Sequence, residues 1–484
     1  MQANQGEDAD YAGGSQPELH LPSISRIGAM IVAAIALLAH AFPPATTADM
    51  LAPNARKTMA IEHTTYYRAS AAPHPAFARA SGRRDATTCI IGGGYAGLNT
   101  ALGLAERGAR DVVVLESREV AFGASGRNGG FVFGGFSANE QILLRDLGPA
   151  RARALYQGTQ DAVDLIRARI AQYRIACDHT DSGVLWANWF DDDALLHARH
   201  KLMVEQFGVD WQFIDRLALR DLILSDRYRG ALFEPNAMHF HPLNYALGIA
   251  AAAAAQGVAV YENSPAIDLQ RRGAGWRVRT PEAEIDCEHV VLCCGGYLAG
   301  LRHDVDKSVL PIATYVMVTE PLGTRMHDAL RTKAAIYDTR FAFDYYRPLP
   351  DSRLLWGGRI SVLDRSPDAV KRLLYRDMLK VFPQLEGVAV ESAWSGLMSY
   401  ARHEMPQIGQ IDDGLWVAQA FGGHGVAPTT FAGEIVASAI ANGDLRWKEF
   451  EGYGLRSTWK PVGYVAAQLS YWWLQARDAW KSFR

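Results

Sequence analysis

The sequence predicts an α/β protein in which a doubly wound parallel sheet is interrupted by a second domain built on a large antiparallel sheet. Three stretches indicate this architecture. Residues 89–117 combine a short apolar run, a glycine-rich turn, a helical pattern and a second apolar run. Residues 308–362 alternate between apolar and polar side chains, as antiparallel strands do. Residues 415–443 return to a strand, a glycine-rich turn and a helix.

The individual elements follow from hydrophobic periodicity. Residues 89–94 predict a buried strand that runs into a turn, and residues 112–115 predict a second buried strand. The helical pattern of residues 98–107 lies between them and ends at Gly108, which makes this stretch one βαβ unit. Helical patterns also cover residues 150–173, 192–207 and 241–257, and strands are predicted within residues 258–270 and 275–296.

Composition places the chain among globular proteins. Its 484 residues are enough for two or three domains, and they are 49% hydrophobic and 21% charged. The formal net charge of −3 provides no broad positive field, so nucleic acid is not expected as a partner. No spacing predicts a metal site, and the three aspartates of residues 191–193 are interpreted as a solvated loop.

The first 58 residues differ from the rest of the chain. Residues 27–42 are an apolar run of 16, short of the roughly 20 that a spanning helix needs. The run resembles the core of a signal peptide, but acidic residues precede it where basic ones are expected. A start of translation at Met50 or Met59 is slightly favoured over export or membrane tethering. We therefore predict a cytoplasmic protein and no membrane partner.

The glycine-rich turn predicts a dinucleotide site. Gly92, Gly94 and Gly97 give the tight turn, the backbone approach to a pyrophosphate and the close packing of helix on strand. Glu116 ends the second strand 24 residues after Gly92, where an acid binds ribose hydroxyls and disfavours a 2′-phosphate. The predicted contacts of this half of the cofactor are Gly92, Gly94, Tyr95, Ala96, Gly97, Glu116 and Ser117.

The following loop, "FGASGRNGG" at residues 122–130, resembles the flavin-contacting loop of the D-amino-acid oxidase/glycine oxidase superfamily of FAD-dependent oxidoreductases. Within it the chain is most similar to the γ-glutamylputrescine oxidoreductase branch, through "HPLN", "DYYR" and "GHGV". The resemblance implies a Rossmann-like FAD-binding domain and a substrate domain. It implies FAD contacts at Ser125, Arg127, Asn128, Gly129, Gly130, Ala266, Cys294, Gly295, Gly422, Gly423, Gly425 and Val426.

The same resemblance implies domain boundaries. The FAD-binding domain is expected to be discontinuous, and the substrate domain to be inserted into it. The boundaries are 1–58 for an N-terminal extension, 85–150, 235–300 and 403–445 for the FAD-binding domain, 151–234 and 301–402 for the substrate domain, and 446–484 for a C-terminal helical segment.

The activity implied is oxidation of an amine, γ-glutamylputrescine-like or another alkyl amine, by hydride transfer to flavin N5. The product is an imine that becomes an aldehyde, as in polyamine catabolism. Met398 stands where amino-acid-oxidising members carry an arginine that binds the substrate carboxylate; Arg347 or Arg402 could take its place. The residues expected to be catalytic are Tyr346, Arg347, His424 and Trp394.

Attachment and reoxidation of the flavin are also implied. No cysteine follows Cys294, and residues 120–127 contain no histidine, so FAD is expected to be non-covalent. Leu354, Leu355 and Trp356 stand where the sarcosine oxidase branch has a lysine that assists oxygen, so oxygen or another acceptor stays open. The alternatives are an amino-acid oxidase or dehydrogenase of the D-amino acid, glycine or sarcosine type, and a non-enzymatic flavin-binding subunit.

Overall fold

Two eight-stranded sheets and a two-stranded ribbon form the fold in our computed structural model, which describes residues 65–363 and 365–482. The predictions for residues 1–58 lie outside this part of the chain. The strands are β1 Gly82–Ile91, β2 Val112–Leu115, β3 Phe131–Val132, β4 Val184–Ala187, β5 Gln212–Ile214, β6 Ala231–Glu234, β7 Met238–His239, β8 Ala259–Tyr261, β9 Asp268–Arg272, β10 Gly275–Arg279, β11 Ala283–Leu292, β12 Val309–Thr319, β13 Ala335–Asp338, β14 Tyr345–Pro348, β15 Leu354–Ser361, β16 Val390–Ala401, β17 Gln407–Asp412 and β18 Leu415–Gln419.

Helices cover the sheets and connect their strands. The α-helices of the described residues are α1 Tyr66–Ala69, α2 Tyr95–Glu106, α3 Glu140–Leu147, α4 Pro149–Tyr173, α5 Asp193–Leu202, α6 Arg216–Leu222, α7 Pro242–Ala255, α8 His303–Asp306, α9 Pro367–Val381, α10 Val426–Asn442 and α11 Val462–Lys481. None of these helices is both long enough and apolar enough to cross a membrane.

The first sheet has the order β17-β18-β11-β1-β2-β8, and β10 and β9 extend from β11 as an antiparallel meander. The strands from β18 to β8 run parallel. Val112 to Leu115 are all buried, which is the continuous apolar run that a strand covered on both faces requires. The predicted βαβ unit of β1, α2 and β2 is therefore confirmed.

Helices α2 and α10 pack closely on this sheet. The contact depends on Gly433 of α10, where a Cβ atom would lie 2.7 Å from the Cβ of Asn99 and 2.8 Å from the amide nitrogen of Thr100. A side chain at Gly433 would push the two helices apart. Because both helices begin at the carboxyl edge of the sheet, this packing brings their N-termini to one side of the molecule.

The second sheet has the order β16-β12-β15-β14-β13-β4-β6-β5. All neighbouring strands are antiparallel except β4 and β13, which run parallel. The predicted large antiparallel sheet is thus confirmed, with one parallel pair. That pair is possible because more than a hundred residues separate the two strands, so no tight turn sets their direction. The exact domain boundaries stay a prediction.

The two faces of the second sheet belong to different cores. Val316, Leu355 and Trp394 pack in the core shared with the first sheet. Leu354 and Trp356 pack in a separate core under helix α9. Successive residues of a strand point to opposite faces of the sheet. The hydrophobic core in which a side chain packs therefore shows on which face of the sheet it lies.

Candidate active site

Three glycines shape the turn between β1 and α2. Gly92 has a φ of +113°, and a Cβ atom there would lie 2.6 Å from the carbonyl oxygen of Cys293. A Cβ atom on Gly97 would lie 2.0 Å from the carbonyl oxygen of Gly92. Only glycine fits both positions. Gly94 is the N-cap of α2, so the start of this helix, which attracts anions, opens at the carboxyl edge of the sheet.

Glu116 lies beside this turn at the end of β2. Its Oε2 accepts a hydrogen bond from the N–H of Gly93 at 2.8 Å. Its Oε1 accepts from the N–H of Arg118 at 2.9 Å and from the hydroxyl of Ser117 at 3.1 Å. Burial raises the pKa of the Glu116 carboxyl, while these donors favour its charged form. Glu116 therefore lies in contact with the glycine turn, as the spacing in the sequence predicts.

The loop of residues 122–130 folds over the start of α2. The N–H of Tyr95 donates to Ser125 Oγ at 2.9 Å, and a Cβ atom on Gly94 would lie 2.9 Å from the same oxygen. Asn128 Nδ2 donates to the carbonyl of Ser125 at 2.9 Å, and its Oδ1 accepts from the N–H of Gly130 at 2.8 Å. The structure thus brings these predicted residues together, and Ala96 follows them in the first turn of α2.

Arg127 and Trp394 fix the middle of this loop. Arg127 Nε donates to the carbonyl of Phe122 at 2.9 Å, and Trp394 Nε1 donates to the carbonyl of Arg127 at 2.9 Å. Both side chains are buried. Burial lowers the pKa of the Arg127 guanidinium. Trp394 therefore holds the backbone of the loop, which supports a positioning role, and its expected catalytic role stays a prediction.

Arg347 holds the end of the loop. It is 2% exposed, and its Nε donates to the carbonyl of Gly129 at 2.7 Å. Its Nη2 donates to the carbonyl of Phe240 at 2.8 Å, and its Nη1 lies 3.4 Å from Nδ1 of His239. A Cβ atom on Gly130 would lie 2.8 Å from Nη2. The guanidinium is thus engaged by neutral protein acceptors, which does not suit the expected role of carboxylate ligand.

The tyrosines of β14 occupy opposite faces of the second sheet. Tyr346 is fully buried in the core under α9, stacked on Trp356 with 4.4 Å between ring centroids, and its hydroxyl donates to that of Tyr228 at 3.2 Å. Tyr345 faces the loop instead, since a Cβ atom on Gly129 would lie 2.6 Å from its ring. The expected substrate contact of Tyr346 therefore does not fit the structure, and Tyr345 is the tyrosine beside the loop.

The C-terminal glycine turn leads from β18 into α10. Gly422 has a φ of +63°, Gly425 is the N-cap, and Val426 is the first residue of the helix. A Cβ atom on Gly423 would lie 3.4 Å from Sδ of Met398. Met398 therefore borders this turn with a neutral thioether, at the position for which the family resemblance implies an arginine.

His424 joins the C-terminal turn to the segment that follows the loop. Its Nε2 lies 2.7 Å from the carbonyl oxygen of Gly134, and its ring meets the ring of Phe133 edge-on at 4.2 Å. Because a carbonyl only accepts, Nε2 carries the proton and Nδ1 does not. Burial lowers the pKa of His424 to about 4. The imidazole is therefore neutral at neutral pH.

The contacts of Arg402 are not made with the C-terminal glycine turn. Its guanidinium lies over the ring of Trp459, 4.0 Å from the centroid. It lines a surface cavity of about 700 Å³ together with His403 and Glu404, and the residues lining this cavity include none of the predicted FAD contacts. Arg402 is therefore not placed to bind a substrate carboxylate beside the loop.

Cys294 and Gly295 lie where β11 ends, next to the first glycine turn. A Cβ atom on Gly92 would lie 3.3 Å from the amide nitrogen of Cys294, and the Cys294 thiol lies 3.4 Å from the carbonyl oxygen of Ile91. Burial raises the pKa of this thiol to about 12, so it is protonated. Both predicted residues thus flank the turn.

Strands are confirmed at both ends of residues 258–270, but Ala266 lies between them. Residues 262–267 are irregular and separate β8 from β9. Asn263 has a φ of +50°, and Pro265 lacks the N–H that a ladder needs. The N–H of Asn263 still donates to the carbonyl of Arg118 at 2.7 Å, which holds the segment near the end of β2.

His239 and His241 are structural in this part of the molecule. His241 caps α7, since its Nδ1 accepts from the N–H of Asn244 at 3.1 Å. Nε2 of His239 lies 2.8 Å from the carbonyl oxygen of Lys333. Burial and then the charge of Arg347 lower the pKa of His239 to about 3 and that of His241 to about 4. These contacts favour capping and packing over catalysis for both histidines.

Tyr67 is a site residue that sequence reasoning missed. It lies in the four-residue helix α1, is fully buried, and donates its hydroxyl to the carbonyl of Asn128 at 2.9 Å. Its ring meets that of Trp394 edge-on at 5.3 Å. A helix this short gives no periodic signal; the available signal was the resemblance of residues 63–71 to the N-terminus of the same branch.

Residues 87–439 match the family model described as FAD dependent oxidoreductase, or DAO. The chain belongs to this family. FAD is therefore the cofactor of this oxidoreductase, and the site fits it, because the turn at Gly92 and Gly94 opens the start of α2 to a pyrophosphate beside the Glu116 carboxylate. The family assignment confirms the flavin implied by the loop.

Curated relatives and solved structures agree with this assignment. The FAD-dependent oxidoreductase is 35% identical to gamma-glutamylputrescine oxidoreductase of Escherichia coli over 393 residues, 80% of this chain and 92% of that protein. It is 34% identical to the probable oxidoreductase OrdL of Haemophilus influenzae over 387 residues, 77% of this chain and 87% of that protein. Glycine oxidase from Geobacillus kaustophilus has the same fold, with a TM-score of 0.63 at 21% identity over 75% of this chain and 96% of that one.

Proposed function

We propose that this oxidoreductase converts an alkyl amine of the γ-glutamylputrescine type into an imine, which water hydrolyses to an aldehyde and ammonia. FAD, when bound, supplies the acceptor for the two electrons that leave the carbon–nitrogen bond. The observation that carries the proposal is the thioether of Met398 beside Gly423. A free amino acid would bring its carboxylate to the flavin, and such a group requires a cationic partner once it is desolvated.

We infer that the turn and the loop hold FAD from both ends. The glycine turn and the start of α2 suit a pyrophosphate, and the carboxylate of Glu116 suits ribose hydroxyls. The start of α10 suits negative charge on the flavin ring. The residues proposed to hold FAD are Gly92, Gly94, Tyr95, Ala96, Gly97, Glu116, Ser117, Ser125, Arg127, Asn128, Gly129, Gly130, Ala266, Cys294, Gly295, Gly422, Gly423, Gly425 and Val426.

The charges around the loop favour an unprotonated amine, which is the form with a lone pair that can be oxidised. Arg347 places a buried positive charge directly behind Gly129. His424 is neutral because its pKa is about 4. A nearby cation disfavours the ammonium form of a bound amine, and burial acts in the same direction. We infer that Arg347 positions the loop and lowers the pKa of the substrate amine, while the neutral His424 positions the turn.

Aromatic side chains offer an apolar wall for an alkyl chain. The ring of Phe131 meets that of Tyr345 edge-on at 5.6 Å, and the ring of Phe133 stacks on that of Tyr337 at 5.4 Å. Phe131 and Phe133 follow the loop directly in sequence. We infer that these rings bind the carbon chain of the substrate and exclude water from it.

We propose that the reduced flavin passes its electrons to oxygen or another acceptor, and that no lysine of β15 assists this step. Leu355 is the residue of this strand whose side chain packs in the core shared with the first sheet, while Leu354 and Trp356 point to the other face. An apolar side chain at Leu355 brings no charge toward the flavin side.

Anaerobic flavin bleaching tests the proposed substrate class. Alkyl amines, including γ-glutamylated diamines, should reduce the bound flavin faster than glycine, alanine or proline of matched concentration. Met398→Arg should raise the rate with these amino acids relative to amines, and Met398→Leu is the matched control that keeps the position neutral. Faster reduction of the wild-type flavin by an amino acid than by every amine tested would favour the amino-acid oxidase alternative.

A further inference from the structure

Helix α11 turns polar side chains toward the protein body. Gln468 is 3% exposed, and its Oε1 accepts from the hydroxyl of Ser361 at 2.9 Å and from the N–H of Val362 at 3.0 Å. Asp478 is 7% exposed, and its Oδ2 accepts from the N–H of Phe341 at 2.7 Å. A helix on the surface of a globular protein ordinarily buries its apolar stripe and exposes its polar face. On helix α11 the two buried side chains are polar, and several of its tryptophans are exposed.

The outward side of α11 and the residues just before it are rich in tryptophan. Trp473, Trp480 and Val462 are 63%, 57% and 61% exposed. Trp472 is 37% exposed and Trp459 is 60% exposed. Val462, Trp473 and Trp480 follow one another at intervals of eleven and seven residues, which places them on one side of a helix. We call these five residues the tryptophan face.

Basic residues surround the tryptophan face. Residues 455–482 contain Arg456, Lys460, Arg477 and Lys481. Lys460 pairs with Asp306 at 3.6 Å and Lys481 with Asp192 at 2.9 Å, while Arg456 is exposed and Arg477 lies 3.3 Å from the inward-facing Asp478. The side chain of Arg477 is 52% exposed and lies over the ring of Trp473, 5.7 Å from the centroid. The face thus combines amphipathic aromatic rings with a basic margin, of which Arg456 and Arg477 are exposed.

We propose that the tryptophan face binds the surface of an anionic lipid bilayer. Tryptophan rings are enriched at the depth of lipid headgroups, and an interfacial helix pairs such rings with Lys and Arg. The basic margin complements negative headgroups. The helix lies on the bilayer without spanning it, in agreement with the absence of a spanning helix among the described residues. This proposal departs from the sequence-based prediction of no membrane partner, which rests on residues 1–58 alone.

The exposed apolar area of the tryptophan face suits a bilayer. If a fully exposed tryptophan presents roughly 250 Å², the tryptophan face offers on the order of 500 Å² of apolar surface. A lipid surface requires no matching area, because each inserted ring contributes independently.

Vesicle binding of the full-chain holoenzyme tests this surface. The fraction of flavin absorbance that co-sediments is measured with vesicles of phosphatidylcholine alone and with one-third phosphatidylglycerol. We expect binding to the anionic vesicles that weakens with salt. Trp473→Ala/Trp480→Ala should reduce the vesicle affinity at least tenfold, and Arg477→Gln should reduce the preference for phosphatidylglycerol. Leu217→Ala, which changes a residue 77% exposed on α6, should bind as the wild type does.

Three results would overturn the proposal. The first is wild-type holoenzyme that stays in solution with both vesicle types. The second is unchanged binding of the double tryptophan variant, which would assign binding to another segment, such as the apolar run of residues 27–42. The third is a wild-type dimer that the double variant converts to a monomer, which would make the face an interface between copies. Flavin content and amine turnover of each variant show that folding and the active site are intact, so this test is independent of the proposed function.

Discussion

Replacing Arg347 by methionine should loosen the loop of residues 122–130 and weaken FAD binding by roughly a hundredfold. The guanidinium makes two short hydrogen bonds to buried carbonyls, 2.7 Å to Gly129 and 2.8 Å to Phe240. A hydrogen bond to a charged group contributes about 1.5–3 kcal/mol, so the two bonds together contribute about 3–6 kcal/mol. Methionine does not carry a buried charge, which offsets part of this loss. A net loss of about 3 kcal/mol corresponds to the hundredfold change.

The assay is fluorescence titration of the apoprotein with FAD, together with the flavin content after purification. Arg347→Lys should recover only part of the affinity, since an ammonium cannot span both carbonyls as the guanidinium fork does. Arg446→Met is the matched control, because it removes an arginine whose side chain is 55% exposed. A hundredfold loss of FAD affinity in Arg347→Met, with wild-type FAD affinity in Arg446→Met, would support the positioning role of Arg347.

A different pattern would refute the reasoning. If Arg347→Met bound FAD with wild-type affinity and lost turnover of substrates that carry a carboxylate, the arginine would be a substrate ligand. The hydrogen bonds to Gly129 and Phe240 would then not be what holds the loop.

Three further changes have defined outcomes. Gly94→Val should yield colourless protein, because a side chain there meets Ser125 Oγ at 2.9 Å and blocks the approach of a pyrophosphate. The flavin absorbance of the purified variant tests this. Acid treatment of the wild-type protein should release its flavin as free FAD. Tyr346→Phe should leave FAD content and amine turnover unchanged and cost about 1 kcal/mol in urea unfolding, because only the hydrogen bond to Tyr228 is lost. The pKa of His424 lies at about 4, below its usual 6.5, so its contribution to stability is present above pH 6.5 and disappears as pH falls through 4. His424→Asn should therefore flatten the fall in unfolding free energy between pH 6.5 and pH 4 by up to about 3 kcal/mol, measured by urea unfolding across that range.

The parts of the fold that sequence predicts are those with strong local signals. The turn at Gly92 and the acid at Glu116 lie where the spacing places them, since both follow from the geometry of a single βαβ unit. The C-terminal turn before Val426 is equally local. Residues 262–267 interrupt the strands predicted within residues 258–270, because Pro265 has no N–H to donate to a ladder.

The parts that sequence does not predict depend on which face of a sheet is used. Tyr345 and Tyr346 are adjacent and chemically alike, so only the core that each side chain enters separates a loop contact from a packing residue. The partners of Arg347 come from segments more than a hundred residues away, and no local pattern reveals them. Tyr67 was missed for the same reason, because its partner Asn128 lies 61 residues further along the chain.

Product analysis of a single anaerobic turnover tests the central claim most directly. Holoenzyme is mixed with excess γ-glutamylputrescine without oxygen, and aldehyde, ammonia and bleached flavin are counted. Oxidation at the terminal amine predicts one aldehyde and one ammonia for each flavin reduced, at a rate above that with glycine or alanine at equal concentration. Flavin that stays oxidised with this and other alkyl amines, but is bleached by an amino acid with release of a 2-oxo acid, would contradict the account.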